Sequence, residues 1–177
     1  MLYLVPLPPS RLDKRHKATG WRHIGLDGEG RKMLAEMVKQ IEGRGIAEVW
    51  ASDLDEDAAR VVAEQLHVPL CKEFQLRRFN WGRHHAAPLS KAEDIVSGLI
   101  KKWETNPTIP IRSGDSWMSF EKRQKRMYEK LTTLDCAALV TDEQTMRYWR
   151  DLTPNALVRN GNPIHQGKIY TIRRLED

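Results

Sequence analysis

The chain opens on an apolar run of strand length, Leu2 to Val5, and Pro6, Pro8 and Pro9 end it by removing backbone donors and fixing φ. After Gly28-Glu29-Gly30 the period changes to that of a helix, with Met33, Leu34, Met37, Val38 and Ile41 on one stripe and Gly43 and Gly45 as its stop. Ile46 to Trp50 reads as a second strand. Ser52 with Asp55, and Asp53 with Glu56, have capping-box spacing and predict a helix through Leu66, and Val68 to Cys71 follows as a third strand. This alternation predicts βαβαβ, a parallel sheet with right-handed crossovers.

Phe74 to Ala87 has no period and is rich in Arg, Trp and His, so it reads as irregular. Ser90 to Glu93 is a further capping-box spacing, opening a helix with Ala92, Ile95, Val96, Leu99, Ile100 and Trp103 on one face. Thr105 to Asp115 is a loop. A helix from about Ser116 to Leu131 gathers Trp117, Phe120, Met127, Tyr128 and Leu131, with Lys122, Arg123, Lys125 and Arg126 on its solvated faces. Cys136 to Val140 is an apolar strand, Asp142 N-caps a helix to Leu152, and Pro154 ends it. The tail alternates as strands over Ala156 to Arg159 and Lys168 to Ile172 around an Asn-Gly-Asn-Pro turn.

Composition narrows the class. With 177 residues, 40% hydrophobic and 30% charged, the expectation is one soluble α/β domain over 1–177. No apolar run reaches the roughly 18–20 residues of a bilayer span, and Met1-Leu2-Tyr3 lacks the pattern of a signal peptide, so the expected setting is cytoplasmic with no membrane partner. Cys71 and Cys136 have no zinc spacing and read as free buried thiols. A net charge of +5 suits an acidic partner, although acidic residues are mixed throughout. No aromatic residues interleave with the basic run at 122–126, which argues against a nucleic-acid stripe there.

Several patches, in order, resemble the histidine phosphatase superfamily, also called phosphoglycerate mutase-like. They are Leu4-Val5-Pro6-Leu7-Pro8, Gly20-Trp21-Arg22-His23, Gly25 to Arg31, Trp50 to Asp57, Leu76-Arg77-Arg78 with Gly82, Gly114-Asp115-Ser116-Trp117 with Arg123, and Leu139 to Glu143. The resemblance implies a three-layer α/β/α sandwich with a mainly parallel central sheet. It also implies the family's chemistry, in which a strand-end histidine attacks the phosphoryl group, two arginines and a second histidine hold its oxygens, and a glutamate protonates the leaving group.

Carried over residue by residue, those roles fall on Leu7, on Pro6 and Glu56, on Asp142 and on Arg78, all of other chemistry. Leucine has no lone pair with which to attack phosphorus. A carboxylate about 4 Å from a phosphate oxygen would repel it by about 4 kcal/mol at an effective dielectric of 20. The primary expectation is therefore a catalytically inactive relative retained as a binding or structural module, without metal or cofactor, with no catalytic residue and with an unknown protein or acidic partner. Lys14, Arg15, His16, Lys17, Arg77, Trp81, Arg83, His84 and His85 are its candidate contact residues, Trp81 as a partly exposed one. Arg78 between Glu56 and Asp142 would make an internal ion cluster; the alternative is that both acids merely start helices. A second function class is a phosphatase or phosphotransferase of altered mechanism acting through His84, His85 or His16. A third is nucleic-acid binding through basic faces.

Overall fold

A computed structural model describes residues 1–152 and 168–172 of the chain. Its centre is a sheet of β1 (Leu2–Pro6), β2 (Glu48–Ala51), β3 (Leu70–Lys72), β4 (Ala137–Thr141) and β5 (Tyr170–Ile172), in the order β3-β2-β4-β1-β5. β1, β2, β3 and β4 run parallel, with Val5 opposite Val140 and Trp50 opposite Leu139, and β5 pairs antiparallel to β1 at one edge. The expected mainly parallel α/β architecture is thus the observed one.

Because side chains alternate across a strand, one apolar run feeds two cores. Tyr3 and Val5 of β1 and Ala138 and Val140 of β4 face α1 (Gly28–Val38) and α2 (Glu56–Leu66), where Leu34, Met37, Val38 and Val62 bury. Leu2, Leu4, Ala137 and Leu139 face the other way, onto Met127 and Leu131 of α4 (Trp117–Leu131) and Met146 and Trp149 of α5 (Glu143–Asp151). A third, aromatic core joins α3 (Leu89–Thr105) to α4, with Phe79 edge-on to both Trp103 and Phe120. Among the described residues no helix is long and apolar enough to cross a membrane.

Several local expectations are corrected. The spacing at 52–56 does not form capping boxes: Asp53–Asp55 is a 3-10 turn, the Ser52 hydroxyl bonds the Asp55 carboxylate, and Asp53 is held by Arg77. α3 begins at Leu89, with Pro88 before it and no side-chain cap, so Ser90 is already inside the helix. β2 and β3 begin two residues later than their apolar runs, β2 at Glu48 where it pairs with Ala137 of β4 and β3 at Leu70 where it pairs with Val49 of β2. The side chains of Ala92, Ile95, Val96 and Ile100, the strand expected over Ala156 to Arg159 and the turn at 160–163 lie outside the described residues.

The irregular stretch 74–88 is held from several sides. Asp115 accepts from the Asn80 amide, and Arg83 donates its amide to the Arg112 carbonyl. The two loops cross at Gly82 and Gly114, where a Cβ on Gly82 would stand 2.2 Å from the Arg112 oxygen and one on Gly114 would stand 2.4 Å from the Asn80 oxygen. Gly82 also has φ of +54°, a left-handed conformation that costs an L side chain about 1–2 kcal/mol before any clash. Gly82→Ala is expected to lower the unfolding free energy by at least about 2 kcal/mol in urea denaturation, whereas Gly98→Ala, with open space at its Cβ, changes it by less than about 1 kcal/mol.

Candidate functional site

At the carboxyl ends of β1, β2 and β4 lies a half-open cavity of about 30 Å³, lined by Leu7, Ser10, Gly25, Leu54, Asp57 and Arg78 among others. Such a volume holds about two water molecules and opens to solvent on one side. This is where an open parallel sheet presents a ligand crevice. The floor comes from β1: Pro6 ends the strand, and the Leu7 amide donates to the Thr141 carbonyl at 2.9 Å.

Arg78 is placed from behind. Its own carbonyl accepts from Trp21 Nε1 at 2.6 Å. The neighbouring carbonyls of Gln75 and Arg77 accept from Arg123 Nη1 and Gln124 Nε2, and Arg123 Nη2 is paired with Asp115 at 2.5 Å. Trp149 Nε1 in turn donates to Gln124 Oε1 at 3.0 Å. With its backbone clamped, the Arg78 side chain runs inward and is only 10% exposed. Its Nη2 meets Asp55 Oδ1, while its Nε is buried and has no hydrogen-bond partner among the described residues.

The expected cluster of Arg78 between Glu56 and Asp142 does not form: both acids sit at helix starts, and Arg78 pairs with Asp55 instead. Glu56 turns outward to Arg60 and Lys72, at 2.5 and 2.8 Å, and Asp55 takes the inward place. Burial pushes the Asp55 carboxyl above its ordinary range, against the opposing pull of Arg78 and the Ser52 hydroxyl. Burial also works against the Arg78 charge, but Asp55 and then Asp142 outweigh it and hold the guanidinium firmly protonated. Asp142 itself is the N-cap of α5: Oδ1 accepts from the Gln144 and Thr145 amides and Oδ2 from the Thr145 hydroxyl. The two carboxylates expected to repel an anion are both engaged, and the charge of Asp142 that reaches the site acts on Arg78. Glu56 is spent on surface cations, and the charge of Asp142 is met by a helix N-terminus.

The histidine that reaches the mouth is His23, whose Nε2 stands 3.6 Å from Oδ2 of Asp57, a lining residue. That is ion-pair rather than hydrogen-bond distance, and both side chains are about half exposed. His16, His84 and His85 do not line the cavity. His16 ends the 3-10 turn Asp13–Arg15, and His84 and His85 lie at the end of the turn Gly82–His84. Of the other basic candidates, Lys14 bridges Asp27 and Glu29 at 3.1 and 2.6 Å, and so ties the 10–16 loop to the start of α1 beside the cavity. Arg15 and Arg83 are exposed, and Lys17 forms an isolated bridge with Pro88. Arg77 is fixed by Asp53 and stacked over the Trp21 ring at 4.8 Å. Trp81 is half-buried against Phe79, with centroids 5.3 Å apart. Among the described residues no group of three or more His, Cys, Asp or Glu is arranged to hold a metal.

Asp55 escapes a sequence reading, displaced inward by a 3-10 turn that capping-box spacing conceals. Arg123 is picked out by the family resemblance, but the basic run around it reads as solvated, whereas its side chain is 14% exposed.

The profile of the histidine phosphatase superfamily (branch 1) matches residues 10–168. Among solved structures, the mycobacterial glucosyl-3-phosphoglycerate phosphatase superposes with a TM-score of 0.69 at 15% identity, covering 86% of this chain and 78% of that one. A Thermus thermophilus protein gives 0.71 at 18% identity, covering 95% and 90%. The alpha-ribazole phosphatase of Shigella flexneri gives 0.67 at 14% identity, covering 82% and 75%. At such identities these neighbours establish the fold. No curated protein matches the sequence.

If the buried pair is what holds Arg78 in place, breaking it from one side is costly. Asp55→Ala should lose about 3–5 kcal/mol of stability in urea denaturation, and Asp55→Leu combined with Arg78→Met should recover most of that loss, because no unpaired charge remains.

Proposed function

The chain belongs to the histidine phosphatase superfamily, and from that premise we propose that it is a phosphomonoester hydrolase of altered mechanism working at the Arg78 cavity. This corrects the expectation of an inactive module: the family profile spans residues 10–168, neighbours of the same fold are described as phosphatases, and the carboxylates expected to repel a phosphate are engaged elsewhere. The single observation that carries the reading is Arg78, a lining residue of the crevice whose guanidinium has one buried donor, Nε, with no hydrogen-bond partner among the described residues.

In this reading the phosphoryl group enters from the open side, and the Arg78 guanidinium donates to one of its non-bridging oxygens. A charged donor in a site shielded from water is worth about 1.5–3 kcal/mol per hydrogen bond. Asp55 adds little repulsion because its charge is met by Arg78 and the Ser52 hydroxyl. Leu7, at the end of β1, has no atom to attack phosphorus, so the nucleophile is water. His23 accepts the proton of that water, and Asp57 favours the imidazolium that results. The water oxygen forms the new P–O bond, the bond to the leaving oxygen breaks, and the proton held by His23 passes to that oxygen so that the neutral alcohol departs; no phosphoenzyme forms. The substrates are small phosphomonoesters, since the crevice is narrow and Lys14 already ties down one side of it. We place the activity in the cytoplasm, consistent with the free thiols of Cys71 and Cys136.

A panel of sugar, nucleoside and aryl phosphates tests this with the purified protein. The expected result is release of inorganic phosphate from at least one, with Arg78→Met lowering kcat/KM by about 10–150-fold, the loss of one charged hydrogen bond, and His23→Ala lowering kcat by about 100-fold or more. Absence of turnover across the panel, or turnover unchanged in both variants, would overturn the reading.

A further inference from the structure

The segment 17–25 brings Ile24 and Gly25 to the cavity; Trp21 anchors its middle to the Arg78 carbonyl, and residues 17–20 are clasped to the segment 81–88 by few interactions. Ala18 donates its amide to the Ala87 carbonyl at 3.0 Å and accepts from the Ala86 amide at 2.8 Å, and Lys17 bridges to Pro88. Ala86 is held at φ of 60°, a left-handed conformation that an alanine keeps only when its surroundings impose it.

The His85 imidazole sits inside this clasp. It lies flush on Gly20, so that a Cβ there would stand 2.1 Å from Nδ1 and 2.3 Å from Cε1, and Gly20 itself has φ of +48°. Nδ1 is buried and has no hydrogen-bond partner among the described residues, while the Thr19 backbone bonds the ring. The charged group acting on the ring from the facing segment is Arg22. Arg83 and His84 flank it along its own segment, and among the described residues no carboxylate pairs with it.

We propose that His85 is a pH-sensitive latch on the cavity: its neutral ring closes the clasp, and protonation releases the 17–25 segment. A second N–H on the ring would point at Gly20 with no acceptor, and its positive charge would stand beside Arg22 with no carboxylate to offset it. Burial first and Arg22 second hold the imidazole below its ordinary range, so the sign is fixed. The latch is fully closed above the ordinary histidine value, and its contribution is lost as pH falls through the lowered folded value. The inference concerns access to the cavity and stands whether or not the cavity hydrolyses phosphomonoesters.

Amide hydrogen exchange on the full chain tests it, read at Ala18 and Ala86 between about pH 7.5 and about pH 5 and corrected for the intrinsic pH dependence. In the wild type, protection at these two amides should fall more than about tenfold relative to Leu139 in β4, and in His85→Phe it should not change with pH. Protection that is constant in the wild type, or that falls equally in both proteins, would overturn the latch. Should His85→Phe not fold, the imidazole titration of wild-type His85 decides by NMR. Loss of protection that tracks that titration supports the latch, and titration at or above the ordinary histidine value sinks it.

Discussion

Everything at the site depends on a clamp placed on the backbone of one irregular segment. The carbonyls of Gln75, Arg77 and Arg78 accept from Arg123, Gln124 and Trp21, and those donors are themselves fixed by Asp115, Trp149 and the stacked Arg77. A loop beside a sheet would ordinarily turn its polar groups to water. Here its carbonyls are satisfied from behind, which leaves the Arg78 side chain a single course, into the cavity and onto Asp55. Fixing the chain in this way means that the guanidinium is already oriented before any ligand arrives, and such preorganisation is what gives a charged donor its value in a shielded site.

The electrostatics of the cavity follow from where each carboxylate is spent. Counted from sequence alone, the region is rich in acid and hostile to an anion. In the fold, Asp142 caps α5, Glu56 pairs with Lys72 and Arg60, Asp53 pairs with Arg77, and Asp27 is held by Lys14 and the Gly30 amide. Binding to the Gly30 amide and Lys14 holds Asp27 below the usual carboxylate range, and Arg77 does the same for Asp53. What remains on the wall is one paired buried carboxylate, the Arg78 guanidinium and the His23–Asp57 pair at the rim.

Much of the fold is legible in the chain because its signals are local. The apolar run of β1, the helix stripes of α1 and α4, the Asp142 cap of α5 and the parallel alternation all survive into the structure. The site is less legible because it depends on a register of one residue. Glu56 and Asp55 are adjacent, and a 3-10 turn instead of a capped helix start decides which of them faces inward. Arg123 and Gln124 sit in a run whose composition reads as solvated, and only the carbonyls of a segment some 46–49 residues away give them a reason to bury. His23 lies next to a motif tryptophan and gains meaning only once Asp57 is brought beside it.

The claim that the clamp presents the Arg78 guanidinium to an oxyanion is tested most directly by NMR of the arginine side-chain N–H groups during titration with inorganic phosphate and then with vanadate. The account predicts a slowly exchanging Arg78 resonance that shifts saturably, together with the amides of Gly25 and Asp57 on the cavity wall. An Arg78 resonance that stays put while both anions are raised to saturation of any other site would contradict it.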